Sequence, residues 1–245
     1  MVRASLKSHE DWDTSLYLRE SLLNSENSPN ILGGLSADER ALVLENATTR
    51  VYTPGEEVFS QGKRHDGIFL IDSGIVRTFY ISPTGREITL AYWTRGNFVG
   101  GPEIFGGGEH VWSAVAFRES RIFFLQGVVL RSLVTKVPNL ALGIIECLAH
   151  KGRCYSELLQ ILGTRSVKTR LAHLLVTLSS QYGVQTDDGI LIERTYTHDE
   201  FASIIGSTRQ WVTKMLEIYE RRGFIKKKDR FIVIRDIDAL QTSMV

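Results

Sequence analysis

The stretch THDEFASIIGSTRQWVTKML, Thr197 to Leu216, limits the fold more than any other part of the chain. Thr197 followed three residues later by Glu200 is a capping-box helix start, and Ser207 with Gln210 repeats that signal ten residues on. Ala202 offers a small side chain where two helices can cross closely, and Gly206 supplies the residue that a tight turn between them requires. Phe201, Ile204, Ile205, Val212, Met215 and Leu216 recur at helical spacing and form the inner faces. Thr208, Arg209, Gln210, Trp211, Thr213 and Lys214 then fall mostly outside the packed face, with Arg209 over Thr213 and Gln210 over Lys214. Two caps, a small residue and a turn glycine in register predict a helix-turn-helix. Donor-rich side chains opening the second helix are what reading base edges in a major groove requires, so Ser207 joins these six as a candidate DNA contact.

The residues that follow extend the pattern. Glu220-Arg221-Arg222-Gly223 closes a helix with basic residues and a glycine. Phe224 to Lys227 and Phe231 to Ile234 flank Lys228-Asp229-Arg230, which predicts a β-hairpin with a charged tip, the wing of a winged helix-turn-helix. Lys226, Lys227, Lys228 and Arg230 on that wing are candidate phosphate contacts, with Arg221 and Arg222 beside them.

Ahead of this unit the texture changes. From Val51 to Gln126, short β-rich runs such as Gly67–Ile71, Val76–Ile81 and Glu87–Trp93 alternate with glycine turns, and further strands fit Trp112–Phe117 and Arg121–Leu125. Many short strands at this spacing predict an antiparallel barrel or jelly roll, hence an α+β protein. Between the two units, residues 137–163 carry one long helical stripe of Leu140, Ile144, Ile145, Leu148, Tyr155, Leu158, Leu159 and Leu162. That stripe is longer than one small domain needs and suggests a helix that packs on its own copy. Gly163-Thr164 interrupts it as a hinge. The expected organisation is an N-terminal extension (1–30) read as a short helix plus linker, a sensing barrel (31–136), a dimerisation helix (137–163) and a mainly helical DNA-binding domain (164–245).

Charge separates the halves only weakly. From Thr164 onward 13 Lys and Arg face 10 Asp and Glu, against 16 and 18 in the remainder, which permits a nucleic-acid-binding C-terminal half. No apolar run is long enough to span a bilayer and the N-terminus MVRASLKSHEDWD lacks a signal peptide's apolar core, so a cytoplasmic location is expected with no membrane partner. Cys147 and Cys154, the two cysteines, lie on one helical segment and make no disulfide framework.

The order barrel, long helix, winged helix-turn-helix resembles the Crp–Fnr superfamily of bacterial transcription regulators. The resemblance rests on Gly55-Glu56, Gln61-Gly62, Gly74-x-Val76, Gly96-x-Phe98-x-Gly100, Arg170-Leu171-Ala172, and Gly206 with Arg209, Val212 and Leu216. It implies a homodimer on a two-fold-related double-stranded promoter site, RNA polymerase as a partner, a signal received in the barrel, and no enzymatic activity. It also implies an effector site from which this sequence departs. Cyclic-AMP-binding members carry a glutamate after the glycine that matches Gly100, and an Arg-Ser pair about ten residues later. Here Gly101 replaces the glutamate, and Val111 or Trp112 the arginine ahead of Ser113, with Glu103 close by. A buried phosphate without a guanidinium is a poorly compensated charge, which argues against cyclic AMP in its usual pose.

Other signals fare no better. No cysteine precedes Cys147, against an iron–sulfur sensor; His65 or His110 are the barrel histidines available to ligate haem; and Cys147, His150 and Cys154 lack an evident fourth metal ligand. A cysteine redox switch, haem gating or an effector-independent regulator stand as alternatives. In the family alignment Lys151 and Tyr155-Ser156 face the barrel pocket. With Tyr92, Trp93 and Trp112 as aromatic walls beside Gly100 and Gly101, they suit an aromatic or small organic acid. A cupin-like enzyme would need a histidine cluster on neighbouring strands, which His65 and His110 alone do not supply.

In the family a glutamate commonly follows the arginine that matches Arg209; Gln210 stands there instead, and Trp211 is bulkier than the usual residue. Arg209 suits a bidentate guanine contact, Gln210 adenine, and Trp211 a thymine methyl.

Overall fold

The computed structural model describes residues 28–243, Pro102 excepted; the expected N-terminal extension lies almost wholly outside the described residues. Among these, a short helix α1 (Ala37–Glu45) carries a capping box from Ser36 and Glu39. Eight strands follow: β1 (Thr48–Tyr52), β2 (Glu57–Phe59), β3 (Gly67–Ser73), β4 (Val76–Ile81), β5 (Glu87–Trp93), β6 (Phe98–Val99), β7 (Ser113–Ala116) and β8 (Ser120–Gln126). They form two antiparallel four-stranded sheets, ordered β1-β8-β3-β6 and β2-β7-β4-β5, the expected jelly-roll arrangement. Ile71, Val76, Ala91, Trp93, Val99, Ala114 and Ile122 fill the space between them. Alternation along β5 sends Ala91 and Trp93 inward and Tyr92 to the opposite face.

Helix α2 (Gly127–Lys136) returns along the sandwich and hands over to α3 (Pro138–Thr164), opened by a proline in its first turn. The single stripe read from sequence divides into two faces. Leu140, Ile144, Cys147, Lys151, Cys154 and Leu158, spaced four and three apart, are buried on the barrel side. Leu142, Ile145, Leu148 and Leu159 are 57, 60, 40 and 72% exposed, so apolar area remains on a second face of the helix. Helical bonding continues through Gly163 to the bond from Arg165 N–H to the Ile161 carbonyl, and the chain leaves the helix at Arg165 with φ −106° and ψ 137°.

Ser166 caps α4 (Val167–Tyr182), whose Leu171, Leu174, Leu175 and Leu178 are fully buried. A hairpin, β9 (Gly183–Thr186) and β10 (Gly189–Ile192), follows inside the segment expected to be mainly helical. Its signal is the Asp187-Asp188-Gly189 turn ahead of the apolar run Ile190-Leu191-Ile192. Then come α5 (His198–Ile205), α6 (Arg209–Arg221), the wing strands β11 (Ile225–Lys228) and β12 (Phe231–Ile234), and α7 (Ile237–Thr242). The wing joins the extra hairpin in one sheet, β11-β12-β10-β9.

Candidate effector cavity and nucleic-acid interface

The turn between α5 and α6 shows why this sequence presents helix α6 as it does. Thr197 Oγ1 accepts from Glu200 N–H at 3.1 Å while the Glu200 carboxylate accepts from Thr197 N–H at 2.6 Å, a complete capping box. Gly206 takes the left-handed conformation, φ 61° and ψ 54°, that ends α5. This reversal points Ser207 N–H back at the Ala202 carbonyl, 2.8 Å away, and buries Ser207. The second cap is therefore Thr208, whose hydroxyl accepts from Trp211 N–H at 3.3 Å, and not Ser207 as read from sequence.

Of the candidate DNA contacts, Thr208, Arg209, Gln210, Lys214, Lys228 and Arg230 are exposed. Trp211 is half-buried against the hydrophobic core. The Thr213 hydroxyl is occupied, donating to the Arg209 carbonyl at 3.0 Å and lying 2.7 Å from His198 Nδ1. On the wing, Lys226 pairs with Asp188 at 2.7 Å and Lys227 with Glu220 at 3.4 Å. Arg209 lies 3.7 Å from Asp199, but both are about two-thirds exposed, so that pair is worth little and competes weakly with a base. His198 and Asp199, first residues of α5, were not singled out from sequence; an acidic residue in a first helical turn reads simply as capping chemistry.

Helix α5 packs across β5 of the barrel. Thr89 and Ser203 hydroxyls meet at 2.7 Å, Ser203 donates to Glu87 at 3.2 Å, and the Arg86 guanidinium donates to the Gly206 carbonyl in the turn itself. A polar cleft of about 520 Å³ separates the β4–β5 hairpin from Asp199 and the first residues of α6.

The second site is a cavity of about 340 Å³ between the barrel and α3. Strands and loops supply Trp93, Phe98, Gly100, Gly101 and Trp112; α3 supplies Leu148, Lys151 and Tyr155, the last two four residues apart on one face. Its wall is almost wholly apolar. Trp93 Nε1–H donates to Thr78 Oγ1 at 3.1 Å, which fixes the indole plane. Lys151 Nζ sits 3.3 Å from the Trp93 ring centroid and 4.9 Å from that of Phe98. Burial draws its pKa down to about 7, against a smaller upward pull from the Cys147 and Cys154 thiols. Burial also raises the Tyr155 phenol, keeping it protonated.

Other residues expected at the cavity lie elsewhere. Tyr92, on the outer face of β5, meets Phe117 edge-on at 5.0 Å; burial lifts its phenol to about 12, with the charge of Arg77 on the neighbouring strand and those of Glu200 and Arg194 across the domain contact also acting on it. Ser113 Oγ accepts from Gln61 N–H at 2.9 Å, Ser156 Oγ donates to the Gly152 carbonyl at 2.8 Å, and Glu103 is exposed in a turn; none of these four lines the cavity. Gly101 is held by its backbone: its N–H donates to His65 Nε2 at 3.0 Å, and a Cβ there would stand 2.2 Å from His65 Cδ2. His65 and His110 pack ring to ring at 4.6 Å, with His110 stacked on Phe59 at 4.0 Å, and neither lines the cavity. Burial pushes the Cys147 thiol up to about 11. Among the described residues no three His, Cys, Asp or Glu side chains converge on one point, and no single helix is long and apolar enough to cross a membrane.

Residues 49–136 match the cyclic nucleotide-binding domain model and residues 169–243 the Crp-like helix-turn-helix domain model, together well over half of the chain. The chain is 28% identical over 186 residues to the CRP-like cAMP-activated global transcriptional regulator of Mycobacterium tuberculosis, covering 76% of this chain and 83% of that one. It is 27% identical over 208 residues to the cyclic AMP receptor protein of Thermus thermophilus, covering 85% and 93%. Its fold matches the c-di-GMP responsive global regulator CLP of Xanthomonas campestris, with a TM-score of 0.72 at 18% identity over 81% of this chain and 99% of that one. A CooA mutant from Carboxydothermus hydrogenoformans gives 0.66 at 22% over 88% and 96%. Two domain matches in the order barrel, helix, winged motif leave one assignment: the chain belongs to the Crp–Fnr superfamily of DNA-binding transcription regulators with an effector-binding domain.

Proposed function

We propose that this regulator responds to an aromatic or small organic acid bound in the cavity beside α3, and not to cyclic AMP in its usual pose. The observation that carries this is Lys151, a buried amine on an otherwise apolar, aromatic wall, paired with no carboxylate among the described residues. Such a group favours a planar ligand with one negative charge: rings cover its faces and the ammonium compensates its anion. A cyclic nucleotide needs a second recognition point for ribose and a guanidinium for phosphate. Gly101 offers no side chain and is closed against one by His65, and no arginine among the described residues lines the cavity. For haem, His65 already spends Nε2 on Gly101; for a redox switch, a thiol pushed up to about 11 is a poor nucleophile.

In this reading the protein acts as a homodimer in the cytoplasm. The exposed face of α3, with Leu142, Ile145 and Leu159, packs on its copy, and the cavity opens beside that seam through Leu148 and Gly152. Two reading helices then meet a two-fold-related promoter site, where RNA polymerase is the further partner. Arg209 and Gln210 read bases; Thr208, Lys214, Lys228 and Arg230 hold phosphates, with Trp211 beside them. The effector shifts the balance between states that present α6 differently, by as much as its affinity differs between them.

The test is thermal stabilisation by phenylacetate, cyclic AMP and haemin in turn, followed by promoter-fragment binding with each. Stabilisation by phenylacetate and a gain in DNA affinity are expected. A response to cyclic AMP or haemin instead would falsify the reading, and DNA binding indifferent to all three would make the regulator effector-independent.

A further inference from the structure

Lys151 has an unusual combination of surroundings. Its Nζ is buried, seated on the Trp93 ring at 3.3 Å, and fronts a cavity large enough for a substituted benzene ring. The groups around it are the thiols of Cys147 and Cys154, the Tyr155 phenol one helical turn on, His150 on the same helix, and the indole of Trp93. None of these is a carboxylate that would hold the amine permanently as an ion. Desolvation therefore leaves about half of the amine unprotonated near neutrality, the environment that turns a lysine into a Schiff-base former.

We infer that Lys151 forms an imine with its ligand, and that the effector class is an aromatic carbonyl compound, with an aromatic 2-oxo acid as the best fit. This rests on the cavity being the effector site and narrows what enters it. In the step, the Nζ lone pair bonds to the carbonyl carbon and the carbonyl oxygen leaves as water, taking both amine protons. Tyr155, protonated and on the same face, can lend a proton to the departing oxygen and recover it from Nζ. No oxidant or reductant is consumed. The imine nitrogen then takes a proton from solvent and becomes a cation beside the acid's carboxylate. A lone buried amine is thus exchanged for an ion pair in an apolar cage, while the aromatic ring rests among Trp93, Phe98 and Trp112. Covalent capture suits a sensor with so few polar contacts, since one bond supplies the orientation that a hydrogen-bond network supplies elsewhere.

The test uses phenylglyoxylate, which has a ketone and cannot enolise, against phenylacetate, which has the same ring and carboxylate without the ketone. The full-length protein is incubated with each at pH 7, reduced with cyanoborohydride and mapped by peptide mass spectrometry. One reduced adduct at Lys151 is expected with phenylglyoxylate, formed at least about tenfold faster than at any surface lysine, because an exposed amine is almost entirely protonated at this pH. Lys151→Arg should lose the adduct, while binding of phenylacetate is read from the thermal shift of the wild-type protein. If that variant does not fold, the wild-type map decides alone. Adducts spread over surface lysines, or none at Lys151, overturn the imine. If phenylacetate still stabilises the protein in that case, the acid reading survives without it. If neither probe stabilises or labels the protein, both fall.

Discussion

Lys151 and Arg209 are both cations proposed to meet a ligand, and the molecule treats them in opposite ways. Lys151 lies in an apolar cavity where desolvation has pulled its pKa to about 7. Arg209 stands two-thirds exposed at the start of α6, four residues from Thr213 and beside Asp199. Buried charge is costly and therefore selective; exposed charge is cheap, additive and screened by salt. A regulator needs both kinds, one to recognise a single small molecule and the other to follow a long polyanion.

Substitutions at the two sites should bring this contrast out in descending order of effect. Trp93→Ala removes a side chain 3% exposed and the seat of Lys151. It should lose about 3–5 kcal/mol of stability in urea unfolding, together with the phenylacetate shift. Trp211→Ala, the tryptophan of the reading face, should cost clearly less because that side chain is only half-buried; equal losses would erase the distinction. Gly101→Ala drives a Cβ into the His65 ring and should cost about 1–3 kcal/mol in the same assay. Arg209→Ala should lose about 1–3 kcal/mol of DNA affinity, mainly at one base position in a mobility-shift series. A uniform loss on all sequences would reduce that arginine to a phosphate contact.

The fourth effect is one of pH. Between about 7 and 10.5 Lys151 is protonated in the unfolded chain but neutral in the folded one. The unfolded state therefore binds more protons, and stability rises with pH across that window. Melting temperature should climb between pH 7 and 9 in the wild type and climb less in Lys151→Met. His110, His150 and His173, each pushed down to about 4 by burial, should make both proteins lose stability as pH falls from 6.5 toward 4. An unchanged slope in Lys151→Met would locate the titration elsewhere. The smallest effect separates lysines of the wing: Lys228→Ala should lower the salt slope of DNA binding by about one per protomer. Lys226→Ala should lower it less, because Asp188 already holds that ammonium at 2.7 Å.

Much of this was legible in the chain because it depends on near neighbours. The Thr197–Glu200 capping box, the left-handed Gly206, the wing hairpin and the run of short strands each follow from residues within a few positions of one another. Where reading failed, a distant group decided. Ser207 and Thr208 are equally good caps by type, and only the direction in which Gly206 sends the chain chose between them. The stripe of α3 looked single because periodicity counts apolar residues without saying what covers them; the barrel buries Ile144 and leaves Ile145 60% exposed. Tyr92 was grouped with Trp93 as an aromatic wall, yet strand alternation sends one to the domain contact and the other to the cavity.

The sequence by itself determined the element types, the order barrel, long helix, winged motif, and the absence of cyclic AMP's usual glutamate and arginine. These are local chemistry and composition at fixed positions. Only the tertiary structure decided which wing lysines are engaged, and that Lys151 rests on an indole with no carboxylate partner among the described residues. The physical reason is that a charge's value depends on what surrounds it, and surroundings are assembled from residues far apart in the chain: Trp93 from a strand, Lys151 from a helix, and a cavity that exists only where they meet.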